Sequence, residues 1–289
     1  MPRRERLSKT SAYHYVKLAV RSLMLIAATV FYILGHVRGV EQPLSFLTRL
    51  PWLLLGIFLA FAIEIFLRFF PSSIESMGCQ KQFRRNYVPT EEMREMGGRV
   101  RLGTWRSTLA VAGAWVALNG IIAALYYTGV LDAGILVLIA LFYSVADMIC
   151  ILFFCPFQTW FMRNKCCGSC RIYNWDYVMM FTPLVLIPNL FTIGLFALAL
   201  VLVIVWEILV LRHPERFSEA TNATLRCAHC KEKLCHHKRQ LRAFLKKNAE
   251  KIRLRENLEL AKERARRLLR REKTASPPQD DRPPSNGAD

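Results

Sequence analysis

The chain has 289 residues, of which 53% are hydrophobic, and its 40 Lys and Arg outnumber its 22 Asp and Glu to give a net charge of +18. Long apolar runs alternate with charged blocks, which excludes an ordinary soluble domain and is typical of a membrane protein. Several spans of roughly 20 residues would use nearly half of the chain, which excludes a large enzyme domain outside the membrane.

The apolar segments, taken in chain order, predict an all-α, polytopic membrane protein with about six transmembrane helices. The first segment follows a basic N-terminus and is interpreted as a retained signal anchor, because no convincing small-residue cleavage site follows it. The fifth is short or re-entrant, because Pro183 and the Pro188-Asn189 pair break a run that would overshoot the bilayer. The six predicted spans are residues 18–35, 51–70, 107–128, 131–154, 175–187 and 190–211.

The distribution of Lys and Arg between the loops predicts that both termini lie in the cytoplasm. Loop 71–106 contains seven Lys and Arg, and the turn between the third and fourth spans contains none. The segment 212–273 has 20 Lys and Arg against 8 acidic residues. Because basic residues near span ends are retained on the cytoplasmic side, this pattern predicts an even number of crossings in the cell inner membrane.

Five regions follow from these boundaries. A basic cytoplasmic N-terminus, 1–17, precedes the transmembrane domain, 18–211, and a cytoplasmic Cys/His-rich segment, 212–237. Residues 238–273 read as a basic amphipathic or coiled-coil helix, because Leu254, Leu258, Ala261, Ala265 and Leu268 alternate at four- and three-residue spacings. Residues 274–289 are rich in Pro, Ser, Asp and Gly and are expected to be disordered.

The basic tail helix predicts two kinds of partner in addition to the bilayer itself. Anionic lipid headgroups are the nearest polyanion to a helix attached to the inner leaflet. The narrow apolar seam is compatible with a coiled-coil protein partner. Nucleic acid is disfavoured, because no aromatic stacking platform or recognised binding motif accompanies the charge.

Two cysteine clusters are the clearest chemical signal in the sequence. Two Cys-x-x-Cys steps, Cys167 with Cys170 and Cys227 with Cys230, can supply four thiolates to a tetrahedral zinc ion. The fifth and sixth helices leave and return to the same membrane face, so they are expected to bring the clusters together. Alternate ligands in the same clusters are Cys155, Cys166, Cys235 and His236.

Other uses of these cysteines stay open. An iron-sulfur cluster also takes four thiolates, although the run lacks a familiar cluster spacing. Thiol-disulfide exchange at Cys167 and Cys170 is a third reading, whereas structural disulfides are disfavoured in a reducing compartment. Cys79 and Cys150 read as bystanders, because a cysteine such as Cys150 inside an apolar span behaves as a small hydrophobe.

Three carboxylates fall inside predicted spans, where a charge is costly and suggests a function. Glu64, Asp147 and Glu207 lie at similar depth and could form a cation or proton site under the cysteine loops. In the alternative interpretation, Glu64 pairs with Arg68 four residues later, Glu207 is hydrated, and Asp147 needs a buried partner such as Asn119. Arg21 is expected to extend to the lipid headgroups as an anchor.

Together these features predict a membrane-anchored scaffold or regulatory module with a structural metal. The alternatives are a membrane redox protein, with an iron-sulfur centre or reactive thiols, and a cation transporter that uses the intramembrane carboxylates. The sequence has no Walker loop, nucleophile elbow, His-Glu-x-x-His helix or dinucleotide fingerprint, which favours a non-enzymatic role.

Overall fold

The computed structural model describes residues 9–40, 51–71, 77–95, 105–162 and 170–226, together with residues 248 and 250. The chain divides into two units, Met1–Lys238 and Arg239–Asp289. In the second unit only Asn248 and Glu250 are described, and both are helical. Apart from these two residues, the predicted tail helix 238–273 and the predicted disordered end 274–289 lie outside the described residues.

The described part of the first unit is helical and contains no strand, only one isolated bridge between Pro89 and Asn222. The long helices are α1 (Lys9–Val37), α2 (Pro51–Leu67), α5 (Trp105–Tyr127), α6 (Ala133–Leu152) and α8 (Leu190–Arg212). The short ones are α3 (Met77–Gln82), α4 (Glu91–Glu95) and α7 (Asp176–Phe181).

Four of these helices, α1, α5, α6 and α8, are long and apolar enough to cross a membrane. The apolar helix α2 is shorter, with 17 residues. Large apolar side chains such as Leu23, Ile26 and Phe31 are exposed along α1, as expected for a surface that faces lipid rather than water. The prediction of a helical membrane protein is therefore supported at the level of four span-length helices.

The hairpin between α5 and α6 has the features that a tight reversal requires. Gly129 adopts a positive φ of 78°, a backbone conformation that only glycine accepts without strain. Asp132 caps α6 by accepting a hydrogen bond of 2.7 Å from the amide of Ile135. Its other carboxylate oxygen accepts from the Tyr32 hydroxyl at 2.9 Å, which ties the hairpin to α1.

The segment before α8 is broken, as Pro183 and Pro188-Asn189 led us to expect. A 3₁₀ turn at Arg171–Trp175 leads into α7, and a second at Thr182–Leu186 contains Pro183 in its first turn. Asn189 then caps α8 by accepting from the amide of Phe191 at 2.9 Å. Residues 176–186 rise by roughly 20 Å, less than the hydrocarbon thickness of about 30 Å, and the preceding turn Arg171–Trp175 adds roughly 10 Å to the run.

The core lies where α7 packs between α6 and α8. Helix α1 packs on α6, and α2 packs on α8. The largest group of buried apolar side chains joins α7 to α8 and includes Tyr177, Met180, Phe181, Leu195, Ala199, Leu202 and Trp206. This packing holds the start of α7 beside the last turns of α8, so the hairpin of residues 171–212 leaves and returns at one end of the bundle.

Candidate functional site

A buried arginine joins three helices at the centre of the bundle. Arg21 on α1 is 5% exposed, and its Nη1 donates to the carbonyl of Ser144 at 3.1 Å and to Asp147 Oδ2 at 3.3 Å. Its Nη2 donates to Glu64 Oε2 at 3.1 Å. The expectation that Arg21 extends to the lipid headgroups was wrong, because two carboxylates inside the bundle compensate its charge.

The carboxylate of Glu64 on α2 contacts three donor groups. Its Oε2 lies 3.0 Å from Lys17 Nζ, 3.1 Å from Arg21 Nη2 and 2.9 Å from the hydroxyl of Tyr177. Lys17 and Arg21 are four residues apart on α1 and therefore share a helix face. These partners of Glu64 come from α1 and α7, whereas the alternative interpretation of the sequence paired Glu64 with Arg68, just after its own helix.

Arg68 follows α2 and forms a two-pronged ion pair with Asp176, the first residue of α7. Its Nη1 and Nη2 donate to Asp176 Oδ1 and Oδ2 at 2.7 and 2.6 Å. The guanidinium also lies 4.3 Å from the ring centroid of Tyr177, which is 1% exposed. Tyr177 therefore links this pair to Glu64 through its hydroxyl.

These groups form what we call the ion network, in which three cations face three carboxylates. Its members are Lys17, Arg21, Arg68, Glu64, Asp147 and Asp176. Removing one partner from a buried ion pair costs about 3–5 kcal/mol, because the other charge is left uncompensated. A cation could bind these carboxylates only by displacing an arginine or lysine, so this arrangement gives no support to the transport alternative.

Glu207, the third predicted intramembrane acid, belongs to a separate contact. Its Oε2 accepts from Arg171 Nε at 3.2 Å and from Arg171 Nη2, and its Oε1 accepts from Trp175 Nε1 at 3.0 Å. The Arg171 guanidinium lies 5.2 Å from the ring centroid of Trp105. Glu207 therefore attaches the turn that follows Cys170 to the last turns of α8.

The predicted metal ligands divide between described and undescribed residues. Cys170 is buried beside Met162 and Ile172, and Cys155 lies between α6 and the π-helical turn Phe157–Phe161, where its sulfur accepts from the amide of Gln158. Six predicted ligands lie outside the described residues: Cys166, Cys167, Cys227, Cys230, Cys235 and His236. Among the described residues, no three His, Cys, Asp or Glu side chains lie together as a metal site.

The segments that flank the two clusters dock on the same short helix, α3. The turn Arg171–Trp175, which follows Cys170, contacts α3 directly. The carbonyl of Lys81, in α3, accepts from the side chains of Asn222 at 3.0 Å and Thr224 at 3.4 Å, just before the position of Cys227. Both flanks therefore reach the same end of the bundle.

Three of the described cysteines line one cavity of about 130 Å³. Cys150, Cys155 and Cys170 surround it together with Asp147 and Asp176 of the ion network. Most of the remaining wall is apolar or aromatic and includes Trp115, Tyr143, Ile172 and Met179. Cys150, which the sequence suggested was a bystander, is therefore part of a thiol-lined cavity.

No family model matches this chain, and no curated protein or solved structure shows significant similarity to it.

Sequence reasoning singled out Glu64 and Asp147 but missed the basic groups that hold them. Lys17 was assigned to the basic N-terminus and Arg21 to the lipid headgroups, and Asp176 lay at the edge of a predicted span. One signal was available, because two cations on one face of an otherwise apolar helix match two acids at similar depth on other helices. No pattern in the sequence indicated that Tyr177 would link Glu64 to Arg68.

Proposed function

We propose that this chain is a multi-pass protein of the cell inner membrane that carries a structural zinc ion at its cytoplasmic face. Four thiolates, from Cys167, Cys170, Cys227 and Cys230, hold the ion, with Cys155, Cys166, Cys235 and His236 as possible substitutes. The metal clamps the last helical hairpin and positions the basic tail. The protein then acts as a membrane-anchored scaffold or regulatory module.

One observation carries this proposal: the flanks of both cysteine clusters dock on α3. The turn Arg171–Trp175 follows Cys170 and contacts α3. Glu207, near the end of α8, accepts hydrogen bonds from Arg171 and Trp175 and holds this turn in place. Asn222, five residues before Cys227, is fully buried and donates to the carbonyl of Lys81 in α3. Chain segments anchored at one end of a bundle can bring their cysteines to one ion at little further entropic cost.

In the proposed topology, both termini lie in the cytoplasm. Helices α1, α2, α5 and α6 cross the membrane, and the hairpin of residues 171–212 enters and leaves from the cytoplasmic side. In that reducing compartment cysteines remain thiols and their thiolates are available to zinc. The basic tail then lies where anionic lipid headgroups or a coiled-coil partner can bind it.

Elemental analysis of the full-length protein, purified anaerobically in detergent, tests the proposal. We expect about one zinc ion per chain and no visible absorbance, because zinc has a filled d shell. The Cys227→Ser, Cys230→Ser double variant should lose the metal. Cys150→Ser is the matched control, since Cys150 lies outside both Cys-x-x-Cys steps, and it should retain the metal.

Two results would contradict the structural zinc site. Zinc that stays bound in the double variant would place it on other residues. The zinc clamp would also be contradicted if the protein folds normally without metal and its melting temperature is the same before and after chelator treatment. Iron with inorganic sulfide and a broad visible band would instead make this an electron-transfer protein.

A membrane redox function is the second candidate, and the thiol-lined cavity is the observation that favours it. Cys150, Cys155 and Cys170 line a space of about 130 Å³, close to the 150 Å³ of an engineered cavity that binds benzene. A quinone ring is of that size. Two thiols that reduce a quinone would lose two electrons and two protons, which the quinone would gain as it becomes a quinol, and a disulfide would form.

Titration with a soluble quinone under anaerobic conditions distinguishes this candidate from the zinc clamp. Loss of two titratable thiols for each quinol formed, abolished by Cys155→Ser and Cys170→Ser, would support the redox function. Failure of the metal-free protein to reduce the quinone would remove the redox function and leave the zinc clamp standing.

A further inference from the structure

A cleft runs between α1 and α2 in the described part of the bundle. Helix α1 packs on α6 and α2 packs on α8, and the two make no extensive contact with each other in the described part of the chain. One part of the cleft, of about 420 Å³, begins beside Lys17 and Glu64. A second part, of about 350 Å³, continues it between α1, α2, α6 and α8, and the two parts share Met24, Leu53, Ile57 and Phe61.

The deeper part of the cleft suits a hydrocarbon chain. Its wall is apolar apart from the hydroxyl groups of Ser144 and Thr192. Water gains too few hydrogen bonds in such a space, and an empty space of this size would forfeit packing energy. Because α1 and α6 are long and apolar enough to cross a membrane, acyl chains are the apolar molecules that surround this cleft.

The mouth of the cleft suits a phosphate group. Lys17, Arg21 and Glu64 line it. Because Arg21 is shared between Glu64 and Asp147, Lys17 is the cation that remains to contact a ligand at the mouth. Lys17 gives one contact to Glu64 at 3.0 Å, and its ammonium group has three donors. The Lys17 side chain remains 13% exposed, and its Nζ lies 5.1 Å from the ring centroid of Tyr13. Charge-assisted hydrogen bonds to an anion are therefore open to Lys17.

We propose that this cleft binds an anionic phospholipid, with its phosphate on Lys17 and one acyl chain between α1 and α2. The proposal does not depend on the metal site. A protein helix cannot take the same place, because α1 and α2 are joined at the mouth by the pairs of Lys17 and Arg21 with Glu64. A helix is about 10 Å wide, whereas a single chain can thread past this bridge.

Gly56 on α2 offers a precise way to block the cleft. It lines the cleft, and a Cβ atom built on it meets no other atom within 4 Å. The first side-chain atom of Gly56→Leu therefore enters open space in the cleft. Leucine also favours the helix more than glycine does. Gly113→Leu on α5 is the matched control, because a Cβ there also meets nothing within 4 Å and the residue lies outside the cleft.

Native mass spectrometry of the full-length protein in mild detergent, titrated with phosphatidylglycerol or phosphatidylcholine, measures the binding. The unmodified chain and Gly113→Leu should retain one phosphatidylglycerol, and Gly56→Leu should bind it at least about tenfold more weakly. Lys17→Gln should reduce the preference for phosphatidylglycerol over phosphatidylcholine about tenfold, the effect of losing one charged hydrogen bond. If Gly56→Leu does not fold, Ala60→Leu, one turn along the same wall, replaces it.

Equal retention of phosphatidylglycerol by Gly56→Leu and Gly113→Leu would overturn the proposed cleft site. Equal binding of the two lipids by the unmodified chain would overturn the assignment of the phosphate to Lys17. Weaker binding in Gly56→Leu with an unchanged melting temperature would support the site.

Discussion

At the scale of single residues, Arg21 is a buried charged group that joins three helices. It joins α1 to Glu64 on α2 and to Asp147 and the Ser144 carbonyl on α6. A buried arginine is tolerated because its guanidinium has five donors and two carboxylates accept from it. The ion network therefore fixes how three apolar helices, which could otherwise slide or rotate, meet one another.

Replacing Arg21 should destabilise the protein strongly. Arg21→Met takes away the ion pair between Arg21 and Asp147 and leaves Glu64 with Lys17 and the Tyr177 hydroxyl, so we expect a loss of about 3–5 kcal/mol. Thermal unfolding of the detergent-solubilised protein would show it as a lower melting temperature. Arg38→Met is the control, since Arg38 is exposed just beyond the end of the same helix. Equal melting temperatures for the two variants would contradict the role assigned to Arg21.

The pair of Arg68 and Asp176 allows a direct measurement of coupling. The two side chains meet through two hydrogen bonds of 2.6 and 2.7 Å. In a double-mutant cycle with Arg68→Met and Asp176→Asn, we expect a coupling energy of about 1–3 kcal/mol, the range for residues in one buried network. Additive effects of the two substitutions on unfolding would mean that the pair does not join α2 to α7.

At the scale of elements, the short helix α3 matters more than its length suggests. The segment 214–226 returns from α8 and docks on it through Asn222, whose side-chain amide donates to the carbonyls of Lys81 and Arg216 at 3.0 Å each. A further bond of 2.8 Å joins the amide of Ala223 to the carbonyl of Val88. This docking holds the chain in place immediately before the second cysteine cluster.

Removing the Asn222 side chain should weaken this docking. Asn222→Ala removes the amide donor of the Arg216 carbonyl and leaves the Lys81 carbonyl with Thr224 as its remaining side-chain donor, which costs about 1–3 kcal/mol. If the zinc proposal holds, transfer of zinc to a chelator should also become faster. Asn86→Ala is the matched control, because Asn86 is exposed and makes one bond to the carbonyl of Gln80. An unchanged rate of zinc transfer in Asn222→Ala would show that this docking does not stabilise the metal site.

At the scale of the whole molecule, the hairpin of residues 171–212 begins and ends at one end of the bundle, because its first turn contacts Glu207 near its end. The run 171–186 leads away from that end, and the helix α8 brings the chain back. In the proposed topology, the number of membrane crossings is therefore even and the segments next to both cysteine clusters lie on the cytoplasmic side.

Reporter fusions test that topology. A phosphatase that is active only outside the cytoplasm should be silent when fused after Lys273 and active when fused after Gly129, at the turn between α5 and α6. The two fusions carry the same reporter, so differences in its folding are controlled. Activity of the fusion after Lys273 would place the tail and both cysteine clusters outside.

The helices were largely predictable from the sequence, whereas the ion network was not. Apolar runs, Gly129 and Pro183 act locally, so the span-length helices, the tight hairpin and the broken segment follow from short stretches of chain. The network joins residues far apart in sequence, such as Arg21 and Asp147. A helix that is apolar on all sides does not reveal which face points inward, and Arg21 was therefore assigned to the lipid surface.

X-ray absorption at the zinc edge of the anaerobically purified, full-length protein tests the central claim most directly. A structural site made by two Cys-x-x-Cys steps predicts four sulfur neighbours at about 2.3 Å, or three sulfurs and one nitrogen if His236 substitutes. A shell made only of oxygen and nitrogen, or the absence of zinc from a correctly folded protein, would contradict the claim that the two cysteine clusters form one metal site.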